Sequence, residues 1–220
     1  MPPAGEAGRR GQGRRYLGIA AYVLAPVQFV AGLAVAAARY GPPPYSPLGV
    51  TISDLQAVGC GAFQGAYVCS PLHSLANLSV AVLGVLIVVG TVLLRPYIPH
   101  GGRRGLGILL LVVAGGAAFA NAFTPEDVTL QGDQLTALVA FLAANFGLIQ
   151  VGRVMPTDPR WRRFSRVTTA LGIFGVAALV LSGTGVAAMV GQGVIEWMIL
   201  APVLVWTPAL GVRLALHGDP

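Results

Sequence analysis

The segment 72–94, LHSLANLSVAVLGVLIVVGTVLL, decides the fold class of this chain. It contains no acidic or arginine side chain, and an apolar run of about 20 residues is long enough to cross the hydrocarbon layer of a bilayer as an α-helix. In lipid the backbone has to satisfy its own hydrogen bonds, which a helix does within one segment. The segment therefore predicts a membrane-spanning helix.

The composition extends this prediction to the whole chain. Of 220 residues, 55% are hydrophobic and 10% are charged, with a mean hydropathy of +0.73, whereas a soluble domain carries about 25% charged residues. The predicted spans cover about 16–38, 72–94, 106–123, 135–151, 167–190 and 194–214. We therefore expect an all-α bundle of six transmembrane helices, forming one domain over 16–216 between a disordered tail at 1–15 and a short tail at 217–220.

The arginines indicate how this bundle is oriented. All 14 basic residues are arginines, and with six spans all of them except Arg39 fall on one side. The positive-inside rule makes that side cytoplasmic, so both termini are inside and the other face is extracytoplasmic in the cell inner membrane. The net charge of +6 is then a topology signal. Contact with anionic lipid head groups explains it better than a nucleic-acid partner.

Ionisable side chains collect on the predicted outer side. They are Asp54, His73, Glu126, Asp127, Asp133 and Glu196. A carboxyl that points into the bundle loses water, which raises its pKa and makes it a proton donor. We predict catalytic roles for His73, Asp54, Asp133 and Glu196, and substrate-binding roles for Glu126, Asp127 and Ser53. The alternative is that these groups are solvated, cap helices or have structural roles.

Three amides lie within the spans: Asn77, Asn121 and Asn145. Buried amides often form hydrogen bonds between membrane helices. They could equally line a polar pocket beneath the carboxylates, and we include them as candidate substrate-binding residues.

The outer loop at 39–71 is long enough to have structure of its own. Thr51 is followed three residues later by Asp54, the pattern of a capping box, which predicts a short helix and gives Asp54 a capping role. Cys60 and Cys69 both lie in this loop, and an oxidising compartment predicts a disulfide between them. A redox pair is the alternative, although the spacing is not Cys-x-x-Cys.

Metal binding has little support in the sequence. One histidine near the outer boundary is too few for a zinc site, so we predict no metal and no cofactor. Magnesium held by the outer carboxylates is the alternative.

Several motifs occur in a distinctive order. They are YSPL at 45–48, TISDL at 51–55, VCSPLH at 68–73 followed by Asn77, FTPED at 123–127, Ala140–Phe141 followed by Asn145, and Gly193 followed by Glu196. This set resembles the bacterial membrane family catalogued as domain of unknown function 998. The resemblance implies a fold and a topology but no reaction. Two positions differ from what the resemblance implies: Gln56 stands for a usual Gly, and Asp133 for a His.

The sequence favours an enzyme without identifying its reaction. Our leading hypothesis is an intramembrane acid–base enzyme that cyclises or hydrolyses a lipid or isoprenoid-like substrate, because both reactions use a carboxyl or imidazole in a water-poor pocket. Its partners would be membrane lipid and an apolar small molecule. The alternatives are a small proton-coupled transporter and a non-catalytic assembly subunit. The oligomeric state stays open, and the composition is typical of an actinobacterial protein.

Overall fold

The computed structural model describes residues 4–98, 102, 104–155 and 159–217, which form six long helices and a folded loop. The long helices are α1 (Ala4–Ala37), α3 (His73–Leu94), α4 (Arg104–Asn121), α5 (Leu130–Val154), α6 (Arg162–Ser182) and α8 (Gln192–His217). Each contains a segment long and apolar enough to cross a membrane. The predicted all-α bundle of six membrane-spanning helices is therefore confirmed.

Shorter elements complete the chain. They are α2 (Ile52–Gln56), the strands β1 (Gly61–Phe63) and β2 (Ala66–Val68), α7 (Val186–Val190), and 3₁₀ turns at Arg95–Tyr97 and Pro159–Trp161. The two strands form an antiparallel hairpin in which Gly61 pairs with Val68.

The six long helices form a closed ring. Each packs against the next in the chain, and α8 packs against both α6 and α1. Small residues allow close crossings: a Cβ atom on Gly84 of α3 would lie 2.4 Å from the carbonyl oxygen of Gly115 on α4. Such contacts are typical of helices that pack in lipid.

The two ends of this ring carry opposite charges. One end, here called the acidic end, carries Asp54, Glu126, Asp127, Asp133 and Glu196. The other, the arginine end, carries Arg14, Arg15, Arg95, Arg104, Arg160, Arg162, Arg163, Arg166 and Arg213. Arg39, just after α1, lies at the acidic end. The arginines named above are separated from the carboxylates as the six-span topology predicted. Which end faces the cytoplasm stays a prediction.

The outer loop, residues 39–71, covers the acidic end of the helix ring. Thr51 caps α2 in a capping box, with its side chain accepting from the Asp54 N–H, as the sequence predicted. Ile52 and Leu55 of α2 are 3% and 1% exposed and belong to the main apolar core. The predicted disulfide between Cys60 and Cys69 is present and joins the two sides of the hairpin. The disulfide therefore braces the hairpin within the loop, and the buried helix α2 anchors the loop to the core.

Four helix boundaries differ from the predicted spans by five residues or more. The α1 helix begins at Ala4, although we expected a disordered tail over 1–15. Contacts hold this segment in place: Arg15 donates to the Leu214 carbonyl and lies over the Tyr97 ring, whose hydroxyl donates to the Gly11 carbonyl. Residues 1–3 of that tail, and 218–220 of the C-terminal one, lie outside the described residues.

The other three boundaries are those of α5 and α6. The fourth span, predicted from 135, begins at Leu130 because the polar residues of its first turn continue the helix. The fifth span, predicted from 167, begins at Arg162, directly after the 3₁₀ turn at Pro159–Trp161. The fifth span, predicted to reach 190, ends at Ser182, where Gly183 follows as the C-cap and the chain turns before α7. Hydropathy alone locates neither polar helical turns nor a break within an apolar run.

Candidate functional site

The short helix α2 connects carboxylates from distant parts of the chain. The backbone N–H of Ile52 donates to Glu196 Oε2 over 2.5 Å. The Ser53 hydroxyl lies 3.2 Å from Asp133 Oδ2. Asp54 Oδ2 accepts from the Thr51 N–H at 2.7 Å and from its hydroxyl at 2.9 Å. One turn of helix thus contacts carboxylates of α2, α5 and α8.

Glu126 joins this group from the connection between α4 and α5. Its side chain is 8% exposed and lies beside that of Asp54. Its pKa is raised to about 9, first by loss of water, then by the Asp54 contact and charge, and then by the charges of Asp133 and Glu196. Glu126 therefore keeps its proton at neutral pH. Its Oε1 atom is buried without a partner among the described residues.

We call Asp54, Glu126, Asp133 and Glu196 the carboxylate cluster. Asn121, on α4, donates to Asp133 Oδ1 over 2.9 Å and to the Thr136 hydroxyl over 3.1 Å. Asp133 is 4% exposed, so these bonds replace the water that the carboxylate would otherwise contact. The cluster is consequently held in place from three helices and a loop.

A cavity inside the helix ring begins beside this cluster. Its volume is about 60 Å³, and its polar lining consists of Ser53, Gln56, Asn121 and Glu196. The remaining lining is apolar: Phe29, Ile52, Val80, Leu83, Ile87, Ala114, Ala118, Ala137, Ala140, Phe141, Ala144, Ile199, Leu200 and Val203. We call it the central cavity. It combines one polar end with a long apolar wall, which matches an amphiphile rather than a polar solute.

A separate apolar groove lies between α1 and α8 at the same end. Its volume is about 450 Å³. It is lined by Val30, Leu33, Ala34, Ala37, Tyr45, Pro47, Leu55, Val194 and Trp197. Trp197 donates to the Tyr45 hydroxyl over 3.2 Å, and its ring centroid lies 6.0 Å from that of Phe29, which lines the central cavity. We call it the α1–α8 groove. Phe29 and Trp197 stand between it and the central cavity.

The sequence of this chain matches one protein family over most of its length. The model of the family described as protein of unknown function (DUF998) matches residues 23–213. The chain belongs to this family. Searches of curated proteins and of solved structures found no match to it. The resemblance noted in the sequence is thereby confirmed, and family membership supplies no reaction.

Two predicted site residues of this DUF998 member hold the loop instead of joining the carboxylate cluster. Asp127 accepts from the backbone N–H groups of Val58 and Gly59 over 3.0 and 2.7 Å. His73 Nδ1 lies 3.1 Å from the Ser70 carbonyl oxygen, and no contact joins the ring to a carboxylate within the described residues. These contacts connect both residues to the outer loop, and the catalytic role of His73 and the substrate-binding role of Asp127 stay predictions.

The predicted amides lie in three different settings. Asn121 belongs with the cluster, as described above. Asn77 exchanges hydrogen bonds with Gln56, accepting over 2.9 Å and donating to its carbonyl over 3.1 Å. Asn145 donates to the carbonyls of Phe141 and Ile199 over 2.9 and 3.1 Å, which ties α5 to α8. Asn145 is thus a bond between helices, one of the two roles that the sequence left open.

Sequence reasoning did not assign roles to Gln56, Thr136, Tyr45 and Trp197. Gln56 is 1% exposed and lines the central cavity, and its side chain donates to Asn77, a bond that a glycine at this position could not make. Thr136 could have been found from its position one helical turn after Asp133. Nothing in the local sequence pairs Tyr45 with Trp197, because that contact depends on the packing of the loop against α8.

The arrangement of the carboxylate cluster suits the transfer of protons. In the described part of the chain, no group of three or more His, Cys, Asp or Glu side chains could hold a metal ion. The carboxylates instead face hydrogen-bond donors and one another. Such a cluster can hold a proton, release it, and stabilise a developing positive charge beside an apolar wall.

Proposed function

We propose that this DUF998 protein is an intramembrane acid–base enzyme whose substrate is a lipid or an isoprenoid-like molecule. One observation carries the proposal: the central cavity is apolar along its length and polar where it reaches Glu196 and the residues that hold Asp133. A hydrocarbon chain would occupy the apolar part. The functional group of the substrate would then lie against the polar end.

The side chains divide into different roles. Glu196 lines the cavity and is the candidate catalytic acid or base. Glu126 keeps a proton at neutral pH because its pKa is about 9, which makes it the proton reserve of the cluster. Ser53 and Asn121 position the Asp133 carboxylate, which would stabilise positive charge on the substrate.

The substrate would enter sideways from the bilayer. The central cavity holds about 60 Å³, which is room for only a few water-sized groups, so side chains have to move before a long chain can bind. The α1–α8 groove is the nearest route. We propose that displacement of the Trp197 ring from Phe29 joins the groove to the cavity.

We also propose that the acidic end is extracytoplasmic. The arginine distribution supports this orientation through the positive-inside rule. Gln131→Cys at the acidic end and Arg163→Cys at the arginine end place exposed thiols on opposite sides. A membrane-impermeant maleimide added to intact cells should label the first and not the second. The reverse labelling pattern would place the site in the cytoplasm.

The reaction can be sought without knowing the substrate by isotope transfer from water. Purified protein in proteoliposomes, mixed with a polyprenol and total lipid extract, is incubated in D₂O or in H₂¹⁸O and analysed by mass spectrometry. Protonation of an alkene carbon leaves deuterium on carbon, whereas hydrolysis leaves ¹⁸O in a product. We expect label in the product of one of the two incubations. Glu196→Gln should lower the rate of label incorporation about 10²–10⁴-fold, as loss of a general acid or base does.

Matched variants separate catalysis from folding. Glu196→Gln keeps an oxygen that can accept from the Ile52 N–H, so the variant should fold and elute as the wild type does. Gln131→Glu adds an exposed carboxyl at the same end and should leave labelling unchanged. Unlabelled lipid in both arms with wild-type protein would contradict an enzyme. Saturable lipid or proton movement across the liposome membrane would then favour the transporter, and a fixed co-purifying protein the assembly subunit.

A further inference from the structure

The arginine end contains a groove that the proposed reaction does not use. It is lined by Arg14, Val92, Arg95, Pro96 and Arg104, and its volume is about 520 Å³. The three arginines come from different elements: α1, the 3₁₀ turn after α3, and the first turn of α4. We call it the arginine groove. Its shape brings together three guanidinium groups that are far apart in sequence.

No acidic side chain that the structure describes lies near this groove. The carboxylates whose side chains are described, those of Asp54, Glu126, Asp127, Asp133 and Glu196, belong to the acidic end, on the far side of the helix ring. The side chain of Glu6, near the start of α1, is not among the described ones. Arg104 donates to the Arg95 carbonyl, and its Nε atom is buried without a partner among the described residues. Arg14 and Arg95 are exposed. The groove therefore has a concentration of positive charge that nothing described within the protein neutralises.

The wall of the groove is apolar and continues toward the middle of the membrane. Val92 is 49% exposed, and one and two turns earlier on the same face of α3 Val89 and Val85 are 38% and 45% exposed. A ligand held by the arginines would thus have an apolar strip directly below its charged group. A soluble anion would use the charges and leave that strip unused.

We propose that the arginine groove binds the phosphate of an anionic phospholipid, with an acyl chain lying along Val92, Val89 and Val85. Guanidinium groups match phosphate oxygens in charge and in hydrogen-bond geometry. The apolar strip explains why the phosphate belongs to a lipid. The site is at the opposite end of the bundle from the carboxylate cluster and does not depend on the enzymatic proposal.

Binding can be measured on the purified full chain in an uncharged detergent. The probes are phosphatidylglycerol, phosphatidylcholine and inorganic phosphate, with occupancy followed by native mass spectrometry. We expect one phosphatidylglycerol per chain to bind saturably and more tightly than phosphatidylcholine. An excess of inorganic phosphate should not displace it. Displacement by inorganic phosphate at equal concentration would show that the site takes the free anion, and equal binding of phosphatidylcholine would contradict selection for anionic lipid.

Two triple variants with the same change in net charge test the location. R14Q/R95Q/R104Q removes the three positive charges of the arginine groove. R162Q/R163Q/R166Q removes three positive charges elsewhere at the same end. Each arginine near a lipid surface changes the affinity for an anionic lipid roughly fivefold. The first variant should therefore bind phosphatidylglycerol about a hundredfold more weakly than the wild type does. The second should stay within a few-fold of the wild type. Equal losses in both would mean general attraction to the charged end and would overturn the proposal.

A single exposed substitution tests the site in a variant that is expected to fold as the wild type does. Arg14 is exposed, and Arg14→Gln should leave the melting temperature of the lipid-free protein unchanged. Its affinity for phosphatidylglycerol should fall roughly fivefold. Addition of phosphatidylglycerol should raise the melting temperature of the wild type more than that of the variant, because a ligand stabilises the state that binds it. An unchanged affinity in this folded variant would contradict the site.

Discussion

The two ends of the bundle place their charges in opposite ways. At the acidic end, Asp133 and Glu196 are turned inward and are bonded to Ser53, Asn121 and the Ile52 N–H. At the arginine end, guanidinium groups lie near the surface and donate to main-chain carbonyls: Arg15 to Leu214, Arg104 to Arg95 and Arg213 to Arg160.

Helix direction does not account for this difference. The helices α3, α5 and α8 begin at the acidic end, whereas α1, α4 and α6 begin at the arginine end. Each end therefore has three helix starts, which favour negative charge, and three helix ends, which favour positive charge. The difference lies in burial: Asp133 and Glu126 are 4% and 8% exposed, whereas Arg14 and Arg95 are exposed. Burial of ionisable groups is typical of functional sites, which is why the candidate site is sought at the acidic end.

The largest expected effect concerns the pH dependence of stability at the acidic end. The pKa of Glu126 is raised from 4.5 to about 9. Between these values the unfolded chain has released the proton that the folded chain keeps. The stability contributed by the protonated carboxyl is thus complete below pH 4.5, falls as the pH rises, and is lost above about pH 9.

Glu126→Gln tests this, because glutamine stays neutral at every pH. The melting temperature of the variant should fall less than that of the wild type between pH 5 and pH 9, as followed by circular dichroism in detergent. Arg39→Gln changes the net charge at the same end without a group that titrates here, and it should keep the wild-type slope. Parallel curves for Glu126→Gln and the wild type would show that this carboxyl is ionised in the folded protein.

The disulfide should give the next largest effect. Replacing Cys60 and Cys69 by serine should lower the free energy of unfolding by about 2–4 kcal/mol, because the bridge restricts the unfolded chain. Hydrogen exchange should quicken in the loop that carries α2 and stay unchanged at the arginine end. Wild-type protein treated with a reductant should behave in the same way. Equal increases in hydrogen exchange at both ends would contradict the prediction that the disulfide stabilises only the loop.

The features that the sequence predicted depend either on residues close together in the chain or on the hydropathy of a whole segment. Helices such as α3 were predictable because a lipid-exposed backbone has no alternative. The Thr51–Asp54 capping box involves residues three apart, and the Cys60–Cys69 bridge involves the chain's two cysteines. The arginine distribution agreed with six spans, with Arg39 as the one arginine on the opposite side.

The candidate site was harder to predict because it depends on helix rotation and on long-range contacts. Sequence position put His73, Asp127 and Glu196 equally near the predicted outer boundary. Only the fold distinguishes them: His73 contacts a carbonyl three residues away, Asp127 holds two loop N–H groups, and Glu196 reaches the central cavity. The importance of Glu126 follows from its burial beside Asp54, which no periodicity in a short connection could show.

The smallest of the three expected effects compares one glycine at each end. A Cβ atom on Gly193, in the first turn of α8, would lie 2.1 Å from the carbonyl oxygen of Val50 and 2.7 Å from that of Pro47. Both neighbours are backbone, so the loop that positions α2 has to shift. Gly193→Ala should therefore destabilise the protein by about 1–3 kcal/mol, as overpacking does.

Gly105, near the start of α4 at the arginine end, is the matched control, since a Cβ atom there meets nothing within 4 Å. Gly105→Ala should leave the melting temperature equal to or slightly above that of the wild type, because alanine favours the helix by up to about 1 kcal/mol. Glu196 should also lose its bond to the Ile52 N–H in Gly193→Ala alone, so isotope transfer should fall only there. Equal melting temperatures for the two alanine variants would contradict close packing of the loop backbone against Gly193. The acidic end would then be no more tightly packed than the arginine end.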